Sequence, residues 1–200
     1  MLPIDEIIGD GNFRVCYALK NSDLSVKINR KFVTKKIAGQ TISLPAFIFS
    51  LLKFGTINPN KKEFEIIQQL PFELKPYLPN HIEYKDGNLI QSRPKDYNGE
   101  YSSTVIKYGK VDNNVFWNHV HVIESIFIKH QFFPLDIFRG GGNVIIEKIS
   151  ESEWKPVIID IKRVGYRPIV DSLDFKLIFK SAQQKKFLQR MQAFKQKYQA

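Results

Sequence analysis

Short runs of apolar residues broken by turn residues predict β-strands in the first part of the chain. We expect strands at Asp5–Ile8, Phe13–Leu19 and Leu24–Ile28. The glycines of Gly9-Asp10-Gly11 separate the first two strands, and Asn21-Ser22-Asp23 separates the next two. Residues 30–43 are basic and polar, and we predict a loop there. Short strands separated by such turns are typical of hairpins within one sheet.

Helical spacing begins after this region. Leu44–Phe54 is apolar enough for a short helix, and Asn58-Pro59-Asn60 is a helix start signal with proline in the first turn. The helix that follows, Lys61–Leu70, is expected to turn Phe64, Ile67 and Leu70 inward and to end at Pro71. Strands are again predicted at Ile82–Tyr84, Asn88–Ser92 and Thr104–Tyr108.

The second half of the chain is mostly helical in pattern. Asn114–His130 places Phe116, Val120, Ile123 and Phe127 on one helical face. The region from Ser172 to the end is a basic helix or two, in which Phe187, Met191 and Phe194 form a stripe suited to docking on the core. Between these helices, Asn143–Ile149 and Val157–Ile159 predict a hairpin. The fold class is therefore α+β, with a β-rich lobe over 1–97 and a helical lobe over 98–200.

Composition limits the possible classes of protein. With 43% hydrophobic residues among 200, the chain can form a core, and intrinsic disorder is excluded. One cysteine excludes a disulfide framework and a thiolate zinc cluster. The sequence has no run of about 18 apolar residues that would span a membrane. Its start has no signal-peptide pattern, so a cytoplasmic protein is expected.

The net charge of +10 favours a polyanionic partner. Lys176–Lys197 contains seven Lys or Arg residues and no acid, so this basic helix could also contact a membrane surface. Specific nucleic-acid binding is not expected, because the sequence has no aromatic RNA-binding strand, zinc spacing or recognition-helix signature.

The first candidate for chemistry is the segment around Gly9 and Gly11. Glycines between two strands allow the backbone to approach phosphates closely, and Lys27 on the next strand can reach such phosphates as a point charge. An ordinary hairpin turn explains the glycines equally well.

The second candidate lies in the later hairpin. Asn143 starts one predicted strand and Asp160 follows the other, so the hairpin brings the two residues together. Amide and carboxylate oxygens suit a Mg²⁺ ion that also holds a nucleotide. The alternative is that Asp160 only begins a turn.

These motifs resemble those of a protein-kinase-like fold and, within it, the YrbL family of PhoP regulatory network proteins. The opening segment Gly9-x-Gly11-x-x-Arg14-x-Cys16-Tyr17 is similar to the family's, as are Val26-Lys27-Ile28 and Lys62-Glu63-Phe64. The stretch 149–160 is the closest match. The resemblance covers most of residues 7–165. It is weak over 30–60, where we expect this chain to carry an insertion relative to the family.

The resemblance implies a role for each matched position. Lys27 would hold the α- and β-phosphates of ATP and Glu63 would orient Lys27, while Gly9, Gly11 and Phe13 would cover the nucleotide. Asn143 and Asp160 would hold Mg²⁺. Asp136 would be the catalytic base, and Arg139 would contact the transferred phosphate. Without the resemblance, Glu63 could simply favour the helix dipole.

The chain departs from the kinase-like pattern at two points. The base is usually five residues before the asparagine, but position 138 is Phe and Asp136 is seven residues before it; Asp160 also lacks a following Phe-Gly pair. Two functions therefore remain open: an ATP- and Mg²⁺-dependent phosphotransferase, or a nucleotide-binding adaptor without turnover. About 40 residues follow Asp160, which favours a small-molecule or glycan acceptor over a protein.

Overall fold

The computed structural model describes residues 2–37, 40–164 and 176–200. Its strands are β1 Ile4–Asp10, β2 Arg14–Leu19, β3 Leu24–Asn29, β4 Phe32–Ile37, β5 Gln40–Pro45, β6 Ile82–Lys85, β7 Asn88–Ser92, β8 Ser103–Thr104, β9 Val144–Lys148 and β10 Trp154–Ile158. Its α-helices are α1 Ala46–Phe54, α2 Pro59–Gln68, α3 Val105–Tyr108, α4 Asn114–Lys129 and α5 Lys180–Tyr198, with a 3₁₀ helix at Phe72–Tyr77. The predicted α+β class is confirmed.

The described residues divide into two compact units. Unit 1 contains 2–37, 40–65 and His81–Ser92, and unit 2 contains Ile66–Asn80, 93–164 and 176–200. The proposed lobes, 1–97 and 98–200, divide the chain by sequence position alone. The contacts instead group residues 66–80 with the later part of the chain.

Unit 1 is built on a five-stranded sheet with the order β1-β2-β3-β7-β6. Each neighbouring pair is antiparallel, so hairpin connections account for most of the sheet. One face is apolar, because Leu19, Val26 and Ile90 are buried together there. The predicted strands at the start of the chain and at 82–92 are confirmed.

Residues 30–43 are not the predicted loop. They lie largely within the β4–β5 hairpin, in which Phe32 pairs with Pro45 and Ile37 with Gln40. The lysines and threonines hid this hairpin in the sequence. At its start, Phe32 and Thr34 are exposed, while Val33 between them is buried against Phe13 and Ala46. Tertiary packing of Val33 therefore identifies a strand that composition did not indicate.

Unit 2 packs α4 and α5 with a three-stranded sheet of order β10-β9-β8. The predicted face of α4 is confirmed, since its apolar residues Phe116, Val120, Ile123 and Phe127 are fully buried. The stripe Phe187, Met191 and Phe194 of α5 is also buried. Phe187 contacts the Phe127 ring edge-on with centroids 5.6 Å apart. The C-terminal helix thus docks on its own unit, as predicted.

Two predicted boundaries were wrong or fall outside the description. Thr104–Tyr108 is not a strand, because only Ser103–Thr104 pairs with β9 and the chain then turns into α3. The start of the C-terminal helix at Ser172 lies outside the described residues. None of the described helices has the length and apolar content needed to cross a bilayer.

Candidate functional site

Helix α2 buries a polar face in unit 1. The sequence pattern predicts Phe64, Ile67 and Leu70 as its inward residues, but these are only partly buried. The most buried positions are Asn60, Glu63 and Ile66, spaced three residues apart on one side of the helix. A buried carboxylate needs a hydrogen-bonding or charged partner, so the burial of Glu63 depends on side chains of the sheet that this face contacts.

The sheet provides two cations on one face. Arg14 and Cys16 lie on β2, and their cross-strand partners on β3 are Asn29 and Lys27. Cross-strand partners project from the same side of a sheet, and residues two apart on a strand share a face. Arg14 and Lys27 are therefore directed to the same side, towards Glu63.

Glu63 binds both cations. Lys27 Nζ donates to Glu63 Oε1 at 2.7 Å, and Arg14 Nη1 lies 2.5 Å from Glu63 Oε2. All three side chains are almost completely buried. The predicted Lys27–Glu63 contact is present, and Arg14 is an additional member whose role the sequence did not indicate. Its position could have been inferred from strand alternation, because Arg14 lies two residues before Cys16 and so on the same face of β2.

Two asparagines hold α2 against the sheet. Asn60 Nδ2 donates to the Lys27 carbonyl oxygen at 2.8 Å and to the Gly87 carbonyl oxygen at 3.0 Å, while its Oδ1 accepts from Arg14 at 2.9 Å. Asn58 Oδ1 accepts from the backbone N–H groups of Asn60 and Lys61, which caps the helix as the Asn-Pro signal predicts. These bonds fix the start of α2 against the sheet and so place Glu63 next to Lys27 and Arg14.

The glycine turn precedes this cluster. A Cβ on Gly11 would lie 3.1 Å from the Arg14 carbonyl oxygen, and the Gly11 N–H donates to that oxygen at 2.9 Å. Gly9 sits opposite Cys16, and its Cβ would meet the Cys16 Cβ at 3.4 Å. Gly11 thus permits a close backbone turn directly before Arg14.

Phe13 and Arg30 secure the two sides of this turn. Phe13 is 8% exposed and packs with Val33 and Ala46, so its ring belongs to a small core cluster. Its role in covering a nucleotide stays a prediction. Arg30 donates from Nε to the Gly11 carbonyl oxygen at 3.0 Å and forms an ion pair with Asp10.

In unit 2, the hairpin brings the candidate metal ligands together. β9 and β10 are antiparallel, with Val144 opposite Ile158, and the Ile159 N–H donates to the Asn143 carbonyl oxygen at 2.9 Å. The predicted proximity of Asn143 and Asp160 follows from this register. Asp160 has a φ of 63°, a backbone conformation that Asp and Asn tolerate better than most residues.

Asp136 lies beside the same hairpin end. Its Oδ2 accepts from the Lys162 N–H at 2.8 Å, and its backbone oxygen accepts from Asn143 Nδ2 at 3.1 Å. The side chain of Lys162 forms an ion pair with Asp160. The structure therefore groups Asp136, Asn143 and Asp160, and adds Lys162, which the sequence analysis did not consider.

The loop from Phe138 to Gly142 explains the altered spacing. Phe138, at the position where an aspartate was expected, is buried and packs on Phe194 with ring centroids 5.2 Å apart. Arg139 is exposed, and its N–H donates to the Asp136 carbonyl oxygen at 3.4 Å. Tyr198 donates to the Gly140 carbonyl oxygen at 2.8 Å. The side chain at position 138 is therefore part of the core, and Asp136 is the acid that lies beside Asn143.

Glu73 and Tyr77, which lie outside these clusters, have shifted pKa values. The pKa of Glu73 falls to about 2, because its own backbone N–H, Lys129 and His130 hydrogen-bond to the carboxylate. Burial raises the pKa of Tyr77, whose hydroxyl lies 3.0 Å from His119 Nδ1. Both contacts tie the 3₁₀ helix to α4, so their importance is structural.

Chemically, unit 1 holds the buried ammonium group of Lys27 on Glu63, and unit 2 brings the polar side chains of Asp136, Asn143 and Asp160 to one end of the hairpin. Within the described residues there is no cluster of three His, Cys, Asp or Glu side chains that could hold a metal alone. An ion at Asp160 and Asn143 would need further oxygens from water or phosphate.

No known protein-family model matches the sequence, and no curated protein matches it either.

Proposed function

We propose that this chain is a protein-kinase-like phosphotransferase that moves the γ-phosphate of ATP to a small-molecule or glycan acceptor with the help of Mg²⁺. The observation that supports this most is the buried contact of 2.7 Å between Lys27 Nζ and Glu63 Oε1. A buried ion pair costs desolvation energy and is often no more stable than an apolar pair of the same size. A phosphate-binding role accounts for keeping such a pair behind a glycine turn.

Each residue of unit 1 has a defined task in this proposal. Lys27 binds the α- and β-phosphates, and Glu63 positions the ammonium group for that contact. Gly9 and Gly11 allow the turn backbone to approach the phosphates. Phe13 follows the turn, and its ring packs with Val33 and Ala46.

In unit 2, Asn143 and Asp160 hold the metal ion. The donor set fits Mg²⁺, which takes one or two carboxylates, keeps several waters and completes its shell with phosphate oxygens. Asn143 uses its amide nitrogen for the Asp136 carbonyl oxygen, which leaves its amide oxygen for a ligand. The ion would neutralise charge on the phosphates. Asp136 accepts the acceptor's proton, and Arg139 contacts the transferred phosphate.

A second candidate is a nucleotide-binding adaptor without turnover. The observation that favours it is the ion pair between Lys162 and Asp160, since an ammonium group at that carboxylate competes with a divalent ion. The Lys162 N–H also occupies one oxygen of Asp136. An adaptor would bind ATP and transfer no phosphate. Either function places the chain where ATP is found, in keeping with a cytoplasmic protein.

Calorimetry with Mg-ATP tests nucleotide binding. We expect the full chain to bind, and Lys27→Met to weaken binding by about tenfold to a hundredfold, because one charge-assisted contact with phosphate is lost. The Lys27→Met chain should still fold, because Arg14 continues to compensate Glu63. Lys61→Met, on the exposed side of α2, is the matched control and should bind normally. Absence of binding at millimolar ATP by the folded wild-type chain would remove both candidates.

Turnover then separates the two candidates. Phosphate release or transfer to a panel of sugars, glycans and small metabolites is measured with wild type and Asp136→Asn. Transfer that falls by about a hundredfold or more in Asp136→Asn supports the phosphotransferase. Binding of Mg-ATP with no transfer to any acceptor or to water supports the adaptor.

A further inference from the structure

An exposed apolar surface lies on the part of unit 1 where the family resemblance is weakest. Phe32 is 60% exposed, Phe47 54%, Leu51 47% and Ile57 66%. We name these four side chains the apolar patch. Phe32, Phe47 and Ile57 line one cavity of about 450 Å³, and Leu51 follows Phe47 by one turn of α1.

The backbone beneath the patch is firmly packed. Val33 and Ala46, each next to a patch residue, are buried together with Phe13. The Ala46 N–H donates to the Lys31 carbonyl oxygen at 2.8 Å, which joins the start of α1 to the start of β4. Phe32 and Phe47 are therefore adjacent to a packed contact between the start of β4 and the start of α1.

The segment that carries the patch is basic in sequence. Residues 24–62 contain no Asp or Glu and eight Lys or Arg residues, of which Lys27 is buried against Glu63. Arg30 and Lys31 border the same cavity as the patch. Arg30 is neutralised by Asp10, whereas Lys31 is exposed. A partner at this surface must offer apolar contact and negative charge together.

We propose that the apolar patch docks on an anionic lipid bilayer, with Phe32, Phe47, Leu51 and Ile57 inserted at the level of the headgroups. A bilayer interface offers hydrocarbon and negative headgroups side by side, which matches the patch and the acid-free segment around it. This docking is independent of the nucleotide-binding proposal. It also differs from contact through α5, whose apolar stripe is buried in unit 2.

Vesicle co-sedimentation of the full chain tests the proposal. We expect binding to phosphatidylcholine vesicles with about one-third phosphatidylserine, and much weaker binding to phosphatidylcholine alone. Raising NaCl to about 0.5 M should weaken the binding, because screening removes the attraction of the lysines. The double variant Phe47→Ser with Leu51→Ser should bind at least about tenfold more weakly, since two apolar side chains no longer enter the interface.

Phe72→Ser is the matched control, because Phe72 is 74% exposed but lies in unit 2, outside the patch. It should bind like wild type. As a second measurement, Phe47→Trp should show a blue-shifted emission on adding anionic vesicles, and Phe72→Trp should not. Equal binding to both vesicle types, equal loss in Phe72→Ser, or no binding overturns the proposal. So does a wild-type dimer in light scattering that the double variant abolishes, which would assign the patch to a second copy of the chain.

Discussion

Glu63 determines how unit 1 is assembled at the scale of single residues. It accepts Lys27 on one oxygen and Arg14 on the other, so two buried positive charges depend on one carboxylate. Asn60, one turn earlier on α2, binds Arg14 as well as the Lys27 backbone. Loss of one cation still leaves Glu63 paired with the other, whereas loss of Glu63 leaves both cations buried without a counter-charge.

Glu63→Gln should therefore destabilise the fold strongly. We expect the free energy of unfolding to fall by about 3–5 kcal/mol, because Arg14 and Lys27 stay buried without a counter-charge. Urea unfolding measures this loss. Glu65→Gln, an exposed change on the same helix, should alter stability by less than about 0.5 kcal/mol. A Glu63→Gln chain as stable as wild type would show that the cluster does not hold α2 to the sheet.

Gly141 is a second residue whose identity is constrained by its surroundings. Its φ is 76°, and a Cβ there would lie 2.9 Å from the Tyr198 ring. We expect Gly141→Ala to cost about 1–3 kcal/mol, from backbone strain and displacement of Tyr198. Gly142→Ala is the control, because a Cβ there meets nothing within 4 Å. Equal thermal unfolding of the two variants would contradict the predicted contact.

At the scale of elements, the end of α4 is tied to the 3₁₀ helix Phe72–Tyr77. Lys129 Nζ and His130 Nε2 each lie 3.0 Å from Glu73 Oε1, and the Tyr77 hydroxyl contacts His119. The sequence did not predict this 3₁₀ helix, because Pro71 before it and Pro76 within it obscured any helical pattern. Its position follows from these side-chain contacts with α4.

The Glu73 contacts predict a defined pH dependence. The carboxyl pKa is lowered from 4.5 to about 2 in the folded chain, so the stabilisation is fully present above pH 4.5 and is lost as the pH falls through about 2. NMR titration of the Glu73 carboxyl should give a midpoint near 2. Lys129→Ala should move this midpoint upward, while Lys107→Ala should leave it unchanged. A wild-type midpoint near 4.5 would show that the contacts do not form in solution.

At the scale of the whole molecule, the candidate residues are divided between the two compact units. Gly9, Gly11, Lys27 and Glu63 belong to unit 1, and Asp136, Arg139, Asn143 and Asp160 belong to unit 2. Each group is held by contacts within its own unit. A ligand that binds the folded chain raises its thermal stability, so thermal unfolding with Mg-ATP measures the proposed binding.

Asp160→Asn tests this coupling with the backbone preserved, because Asn also tolerates the positive φ of position 160. Mg-ATP at about a hundredfold excess over Kd should stabilise the wild-type chain by about 2.7 kcal/mol and raise its melting temperature. Asp160→Asn should lose most of this shift. Asp86→Asn, another aspartate with positive φ, should keep it. A full shift in Asp160→Asn would mean that Asp160 is only structural.

Much of the fold follows from local pattern. The turn residues around Asn21 and Gly87, the Asn58 cap and the spacing along α4 predicted elements that the structure contains. The hairpin that joins Asn143 to Asp160 was also predictable, since two short apolar strands with a polar turn between them have one simple arrangement. Local propensity could not find the β4–β5 hairpin or the 3₁₀ helix, whose packing partners lie elsewhere in the chain.

The sequence alone determined which residue types could do chemistry: the glycines before a strand, Lys27 after a valine, and an acid at the end of an apolar strand. Only the tertiary structure decided that α2 turns Glu63 and Asn60 inward in preference to Phe64, because the opposing cations on β2 and β3 make that polar face the one that must be buried. It also decided that Phe138 belongs to the core, so that Asp136 lies beside Asn143. Charge pairing and close packing act between segments distant in sequence, and periodicity records only the near ones.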